Sequence, residues 1–212
     1  FPVVSGNVSF YNETRGHAVQ PTPNVGAVGL IDDLAATATP AFKSDDRTLV
    51  LIGDTGGHLE ASLYLREIGN REDGPPPPVD CAAERRNGDF VRGLIESGAI
   101  RACHDVSDGG VLVAVAEMVI AGGIGATLAA PEPLPPHAFW FGEDQGRYLV
   151  AVEDDGAGFA AAAQEAGVAA TVLGAIGGAA LTVAGGQPIS ITDLQAAHDG
   201  WLDSYMSAGT TG

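Results

Sequence analysis

Apolar residues in this chain fall into short runs separated by glycine, proline and charged positions, with no heptad and no fixed-period repeat. Four runs have strand length and strand residues: VGAVGLI at 25–31, TLVLIG at 48–53, RYLVAV at 147–152 and ATVLGAI at 170–176. Each is bounded by turn-forming or charged residues, so together they predict a central sheet. Segments 58–69, 82–97, 108–122, 157–167 and 192–206 carry helical spacing or helix-forming composition. Within the third, residues 111–120 are apolar except for Glu117, which predicts a helix that meets hydrophobic neighbours all round. Ser107 or Asp108 is placed to cap it. Helices interspersed with strands predict a layered α/β domain, a mixed central sheet covered by helices.

Prolines and glycines set the connections. EDGPPPPVD at 72–80 cannot be helical, because successive prolines lack amide donors and hold an extended path. PEPLPP at 131–136 predicts a second exposed connector. LTVAGGQPISI at 181–191 places Gly185-Gly186 between two β-rich runs and predicts a hairpin.

Composition narrows the functional classes. The 212 residues are 45% hydrophobic, enough for a sizeable core. Ten Lys and Arg against 27 Asp and Glu give a net charge of −17, which repels nucleic acid and anionic membrane alike. No apolar run reaches the roughly 18 residues of a membrane span, and the start lacks a signal-peptide pattern, so a cytoplasmic location is expected. Cys81 and Cys103 form neither a disulfide framework nor a zinc spacing, and both are expected reduced. An opening at Phe1 without methionine is expected of a segment taken from a longer chain.

Two stretches carry candidate chemistry. CHDVSDGG at 103–110 holds the residue types of a hydrolase triad, but His104, Asp105 and Ser107 are nearly adjacent, and such triads assemble residues distant in sequence. Metal binding by His104 and Asp105 has one ligand pair at poor spacing. The glycines favour a different role: Gly109-Gly110 leaves free helix-start amides uncovered, which attracts an anion or allows close packing. SGNVS at 5–9 offers amides near Gly6, a neutral oxygen on Asn7 of the kind Mg²⁺ accepts, and the Ser9 hydroxyl. Read alone, it is more readily an asparagine turn between two strands.

SGNVSFYNET, then PTPNVGAVGLIDDL, then HDVSDGG with AVAEM, then FGEDQGRYLVAV, in this order, resemble the C-terminal part of the phosphoribosylformylglycinamidine synthase family. The resemblance implies an AIR synthetase-like C-terminal domain over residues 21–212, with residues 1–20 a strand-loop segment leading in from a preceding domain. It implies a purine-biosynthetic ligase that uses ATP and Mg²⁺, with Gly6 contacting ATP, Asn7 ligating Mg²⁺ and Ser9 contacting the small-molecule ribonucleotide. The implied partners are the remaining domains of the same enzyme, a glutaminase subunit and a small accessory subunit. The family's catalytic histidine belongs to the earlier domains, and none of the five histidines here matches it, so the segment alone is expected to be inactive. GEDQGR at 142–147 resembles a substrate-contacting motif of the first tandem copy. In this second copy it is expected at a non-reacting position, as a charged strand entry. Where similar proteins often have glycines between Leu59 and Ser62, this chain has Glu60-Ala61, a change that stiffens the helix start. The alternatives are a related ATP-dependent synthetase or kinase, disfavoured by the FYNE continuation, and an architectural module whose glycine loops only pack.

Overall fold

A computed structural model describes residues 2–7, 12–19, 22–131, 133–153 and 155–208. The chain divides into two units, Phe1–Asp32 and Asp33–Gly212. In the first, β1 (Glu13–Thr14) and β2 (His17–Ala18) form a small hairpin in which Glu13 faces Ala18 and Thr14 faces His17. Its turn is Arg15-Gly16, both at positive φ, the geometry that matches the twist of a two-residue hairpin. Residues 25–31 are not a strand. Val25, Val28, Leu30 and Ile31 are exposed, because a strand needs a ladder partner and none of the described strands pairs with this run.

The second unit contains β3 (Arg47–Ile52), α1 (Leu63–Glu67), α2 (Cys81–Glu96), β4 (Cys103–Asp105), α3 (Gly110–Gly122), β5 (Ala126–Leu128), α4 (Pro136–Phe141), β6 (Tyr148–Val152), α5 (Ala157–Glu165), β7 (Ala170–Ile176), β8 (Ala180–Val183), β9 (Ile189–Ser190) and α6 (Ile191–Ala208). Its strands form one mixed sheet in the order β4-β6-β3-β7-β5-β8-β9, antiparallel throughout except for the parallel β5–β8 pair. Three of the four expected strands are present. So is the hairpin: Leu181 on β8 faces Ile189 on β9. The short β4 and β5 escape a pattern that needs longer runs, and α4 starts inside the proline stretch read as a connector. Pro136 sits at the first helical position, where a missing amide costs nothing.

Strand β3 is buried on both faces, and its alternation sorts the core into two layers. Leu49 and Leu51 join Val111, Val115, Met118 and Val119 of α3 and Phe139 and Trp140 of α4. Val50 and Ile52 join Val91 of α2, Ala163 of α5, Ile100 and Val168. The buried positions of α3 recur at helical spacing, as expected of a core helix, and each large apolar side chain buried there contributes roughly 1.5–3 kcal/mol. A bulge sets the β3–β7 register: Leu49 faces Gly174 and Val50 faces Val172, leaving Leu173 as the extra residue. A Cβ at Gly174 would run into the Thr127 carbonyl on β5.

Candidate functional site

Strands β3 and β6 run antiparallel, so the chain leaving β3 (53–58, GDTGGH) and the chain entering β6 (142–147, GEDQGR) meet at one end of the sheet, where α3 also begins. Glycines let the three segments touch backbone to backbone. An ideal Cβ on Gly53 would lie 2.7 Å from the Gly146 carbonyl oxygen, and one on Gly110 would lie 2.7 Å from that of Gly142. Gly109 and Gly110 both have positive φ, 82° and 75°, so the start of α3 carries no side-chain cap.

Ser107 and Asp108 do not cap α3, contrary to expectation. The acceptor comes from another segment: the Gly109 amide donates to Glu143 Oε1 at 2.8 Å. The same oxygen accepts from the Leu63 amide at 2.8 Å, at the start of α1. Asp144 repeats the arrangement at the β3 loop, where its Oδ2 accepts from the Gly57 amide at 2.9 Å. The Glu143 amide in turn donates to the His58 carbonyl at 2.9 Å. The anion attracted by these uncovered amides is thus the protein's own pair of carboxylates, which satisfy orphan donors at helix and loop ends.

Arg147 closes the motif. Its side chain is fully buried, with Nε donating to the Asp144 carbonyl at 2.9 Å, Nη2 to the Gly142 carbonyl at 2.6 Å and Nη1 to Thr55 Oγ1 at 3.3 Å. Burial lowers its pKa from the usual guanidinium value, while Asp144 and Glu143 act in the opposite direction. Asn87 of α2 adds a bond from Nδ2 to the Gly146 carbonyl at 2.9 Å, and its buried Oδ1 has no partner. A cleft of about 160 Å³ opens beside this knot, lined by Glu84, Asp105, Ser107, Gln145, Arg147 and Tyr148. Burial, then Glu84, raises the Tyr148 phenol above its usual range. With two carboxylates on its wall and the guanidinium turned inward, this cleft does not suit phosphate.

The GEDQGR expectation of a charged strand entry therefore holds, with a structural task it did not foresee. The readable signal was the pair of glycine-rich starts, TGG and DGG, which have free amides and no capping side chain of their own. His104 is not part of a triad. Its Nε2 lies 2.9 Å from Glu117 Oε2 and its Nδ1 lies 3.3 Å from Asp105 Oδ1, pinning β4 to α3, while Ser107 stays exposed. Cys81 and Cys103 are free thiols.

In the first unit, Gly6 and Asn7 are exposed, and a Cβ on Gly6 would meet nothing within 4 Å. Ser9 lies outside the described residues. The exposed Asn7 carries one neutral side-chain oxygen of the kind Mg²⁺ accepts, a cation that keeps waters and phosphate oxygens in most positions. No group of three or more His, Cys, Asp or Glu able to hold a metal occurs among the described residues. No helix among them is long and apolar enough to cross a membrane.

The chain is 56% identical over 209 residues to phosphoribosylformylglycinamidine synthase subunit PurL of Rhodopseudomonas palustris, covering 98% of this chain and 28% of that protein. It is equally 56% identical over 212 residues to the same subunit of Parvibaculum lavamentivorans, covering 99% of this chain and 29% of the relative. It spans under a third of the length of these relatives. Among solved structures, Thermotoga maritima PurL complexed with FGAR superposes with a TM-score of 0.62 at 18% identity, over 74% of this chain and 29% of that one. Escherichia coli HypE superposes at 0.52 and 20% identity, over 73% of this chain and 52% of that one, which speaks for the fold alone. Residues 45–184 match the family described as AIR synthase related protein, C-terminal domain. The match takes in the sheet from Arg47 to Val183 and the whole carboxylate knot at its end, and the chain belongs to that family.

Proposed function

We propose that this chain is the C-terminal portion of a phosphoribosylformylglycinamidine synthase, a cytoplasmic ATP-dependent ligase of purine biosynthesis. The full enzyme converts formylglycinamide ribonucleotide, ATP and glutamine-derived ammonia to the amidine, ADP and phosphate. The observation that carries this reading is the 56% identity to PurL sustained over 98% of the chain. Residues 1–20 are the lead-in segment and residues 21–212 the domain. Within the lead-in, Gly6 permits close approach of the backbone to ATP, Asn7 gives one oxygen to Mg²⁺, and the Ser9 hydroxyl contacts the ribonucleotide. Bound Mg²⁺ neutralises phosphate charge, the main demand of phosphoryl transfer.

The rest of the site comes from the remaining domains of the same enzyme, with ammonia from a glutaminase subunit and assembly with a small accessory subunit. A structure named PurLQS from T. maritima supports a multi-subunit assembly. The filled amide positions around Glu143 and Asp144 support a scaffolding role for the larger unit, since its glycine loops already hold their anions.

Segment exchange tests the proposal. These 212 residues replace the corresponding part of R. palustris PurL, and amidine formation is measured with ammonia, ATP and Mg²⁺. The exchanged enzyme is expected to turn over within about tenfold of its parent, a loss below about 1.4 kcal/mol, while the isolated chain gives none. A soluble, folded exchange protein without turnover overturns the reading.

A further inference from the structure

The opposite end of strand β3 from the carboxylate knot, about 20 Å away at roughly 3.3 Å per residue, carries a concentration of positive charge. A cleft of about 100 Å³ is lined there by Lys43, Ser44, Arg47, Arg101 and Glu153, together with Gly98 and Ala99. Three of the chain's ten Lys and Arg residues meet at this cleft, in a protein with 27 acids. Most other described arginines are already neutralised: Arg66, Arg71, Arg85 and Arg92 pair with carboxylates on their own segments, and Arg147 is buried against Asp144.

Lys43 and Arg101 are held by neutral groups. Lys43 Nζ donates to Thr39 Oγ1 and Arg101 Nη1 to the Ala35 carbonyl. Arg47 is aimed by Ser44, whose Oγ accepts from its Nε at 3.0 Å, and it pairs through Nη1 with Glu153 Oε1 at 3.0 Å. The Glu153 side chain is 79% exposed, so this pair is worth little and opens cheaply. Asp45 and Asp46 follow in the chain but do not line the cleft, and Asp45 lies toward Gly177, on the β7 side. The volume falls well below the roughly 300–1,000 Å³ of sites for larger organic ligands and suits one small ion.

We propose that this cleft binds a single tetrahedral oxyanion of the phosphate class between Lys43, Arg47 and Arg101, with Glu153 as the displaceable carboxylate that holds Arg47 in its absence. Guanidinium groups give forked donors suited to such an ion, and the ammonium adds a point charge. Because the net charge of −17 opposes any anion, the affinity is modest, with Kd on the order of 1 mM, and falls with ionic strength.

Calorimetric titration of the 212-residue chain with inorganic phosphate tests this, beside ribose 5-phosphate and chloride at matched ionic strength. One saturable phosphate site is expected, weakened at least about tenfold by Lys43→Ala or Arg101→Ala. Glu153→Gln is expected to tighten it about threefold, and Arg92→Ala to leave it unchanged, with melting curves confirming that each variant is folded. If ribose 5-phosphate competes, the site takes esterified phosphate as well as the free ion; if it does not, the free ion is the ligand. The proposal is overturned by absence of saturable binding at about 10 mM phosphate. It is equally overturned if Lys43→Ala, Arg101→Ala and Glu153→Gln all match the parent, or if chloride reproduces the signal.

Discussion

Glu143 and Gly109 lie 34 positions apart in the chain, yet a single carboxylate oxygen of Glu143 accepts from the Gly109 amide at 2.8 Å and from the Leu63 amide at the same distance. One side chain from the entry of β6 thereby fastens the starts of α1 and α3. Glu143→Ala leaves both amides without that acceptor and is expected to destabilise the chain by about 1–3 kcal/mol. Glu143→Gln, which keeps an oxygen but loses the charge at the helix start, is expected to cost less, about 0.5–1 kcal/mol. Urea midpoints of the two variants check the order.

The backbone contact beneath this carboxylate makes a second, sharper prediction. At Gly110 an added Cβ meets the Gly142 carbonyl oxygen and the Phe141 backbone, neither of which can swing aside, whereas at Gly109 it meets the Val113 side chain. Both have positive φ and share the strain of a left-handed alanine. Gly110→Ala should cost at least about 2 kcal/mol and Gly109→Ala about 1–2 kcal/mol, measured as differences in unfolding free energy. Equal losses at both positions would show that the contact with Gly142 carries no weight.

Ala61 has φ +51°, a conformation in which glycine is free of steric strain. The resemblance implies glycine in this short stretch, and the Glu60-Ala61 departure places strain at Ala61 where only a stiffer helix start was expected. The helix itself starts later, at Leu63, with Ser62 as its cap. Relief of strain by Ala61→Gly, about 1–2 kcal/mol, exceeds the added chain entropy, about 0.5–1 kcal/mol, so a gain of about 0.5 kcal/mol is expected. A lower melting temperature for this variant would contradict the account.

Burial, and then Asp105, pushes the Cys103 thiol up from 9.0 to about 11. The unfolded chain therefore releases this proton at lower pH than the folded one. The stabilising contribution is complete below pH 9, declines as pH rises toward 11 and is lost above it. Relative to Cys103→Ser, the parent should lose up to about 2 kcal/mol across that window. Exposed Cys81 should react first with a thiol reagent at neutral pH, and Cys103 only on unfolding.

Much of this fold was legible in hydrophobic pattern alone, because a strand such as β3, apolar on both faces, and a helix such as α3, apolar nearly all round, have no place but the core. What escaped the pattern depends on partners. Residues 25–31 have strand composition but no partner among the described strands, while Cys103–Asp105 form a strand because β6 offers its edge. Pro136 opens a helix because its ring suits the first turn. The same limit applies to the candidate site. Uncovered amides at Gly109 were visible as an anion position, but that Glu143 fills it is a fact of tertiary proximity. The roles proposed for Gly6, Asn7 and Ser9 rest on resemblance, since an exposed glycine-asparagine loop has by itself the signature of a turn.

The proposed function assigns chemistry to the Asn7 loop while the carboxylate knot serves stability, and one paired measurement tests that division. In R. palustris PurL carrying this segment, Asn7→Ala and Glu143→Ala are compared by turnover per folded molecule against Mg²⁺ concentration, with melting temperature recorded for each. Asn7→Ala is expected to lower turnover by about 100-fold or more, a loss of about 2.7 kcal/mol in transition-state stabilisation, with an unchanged melting temperature. Glu143→Ala is expected to lower the melting temperature and leave turnover near the parent's. The reverse outcome, parental turnover and Mg²⁺ dependence in Asn7→Ala together with loss of turnover and an unchanged melting temperature in Glu143→Ala, would contradict it.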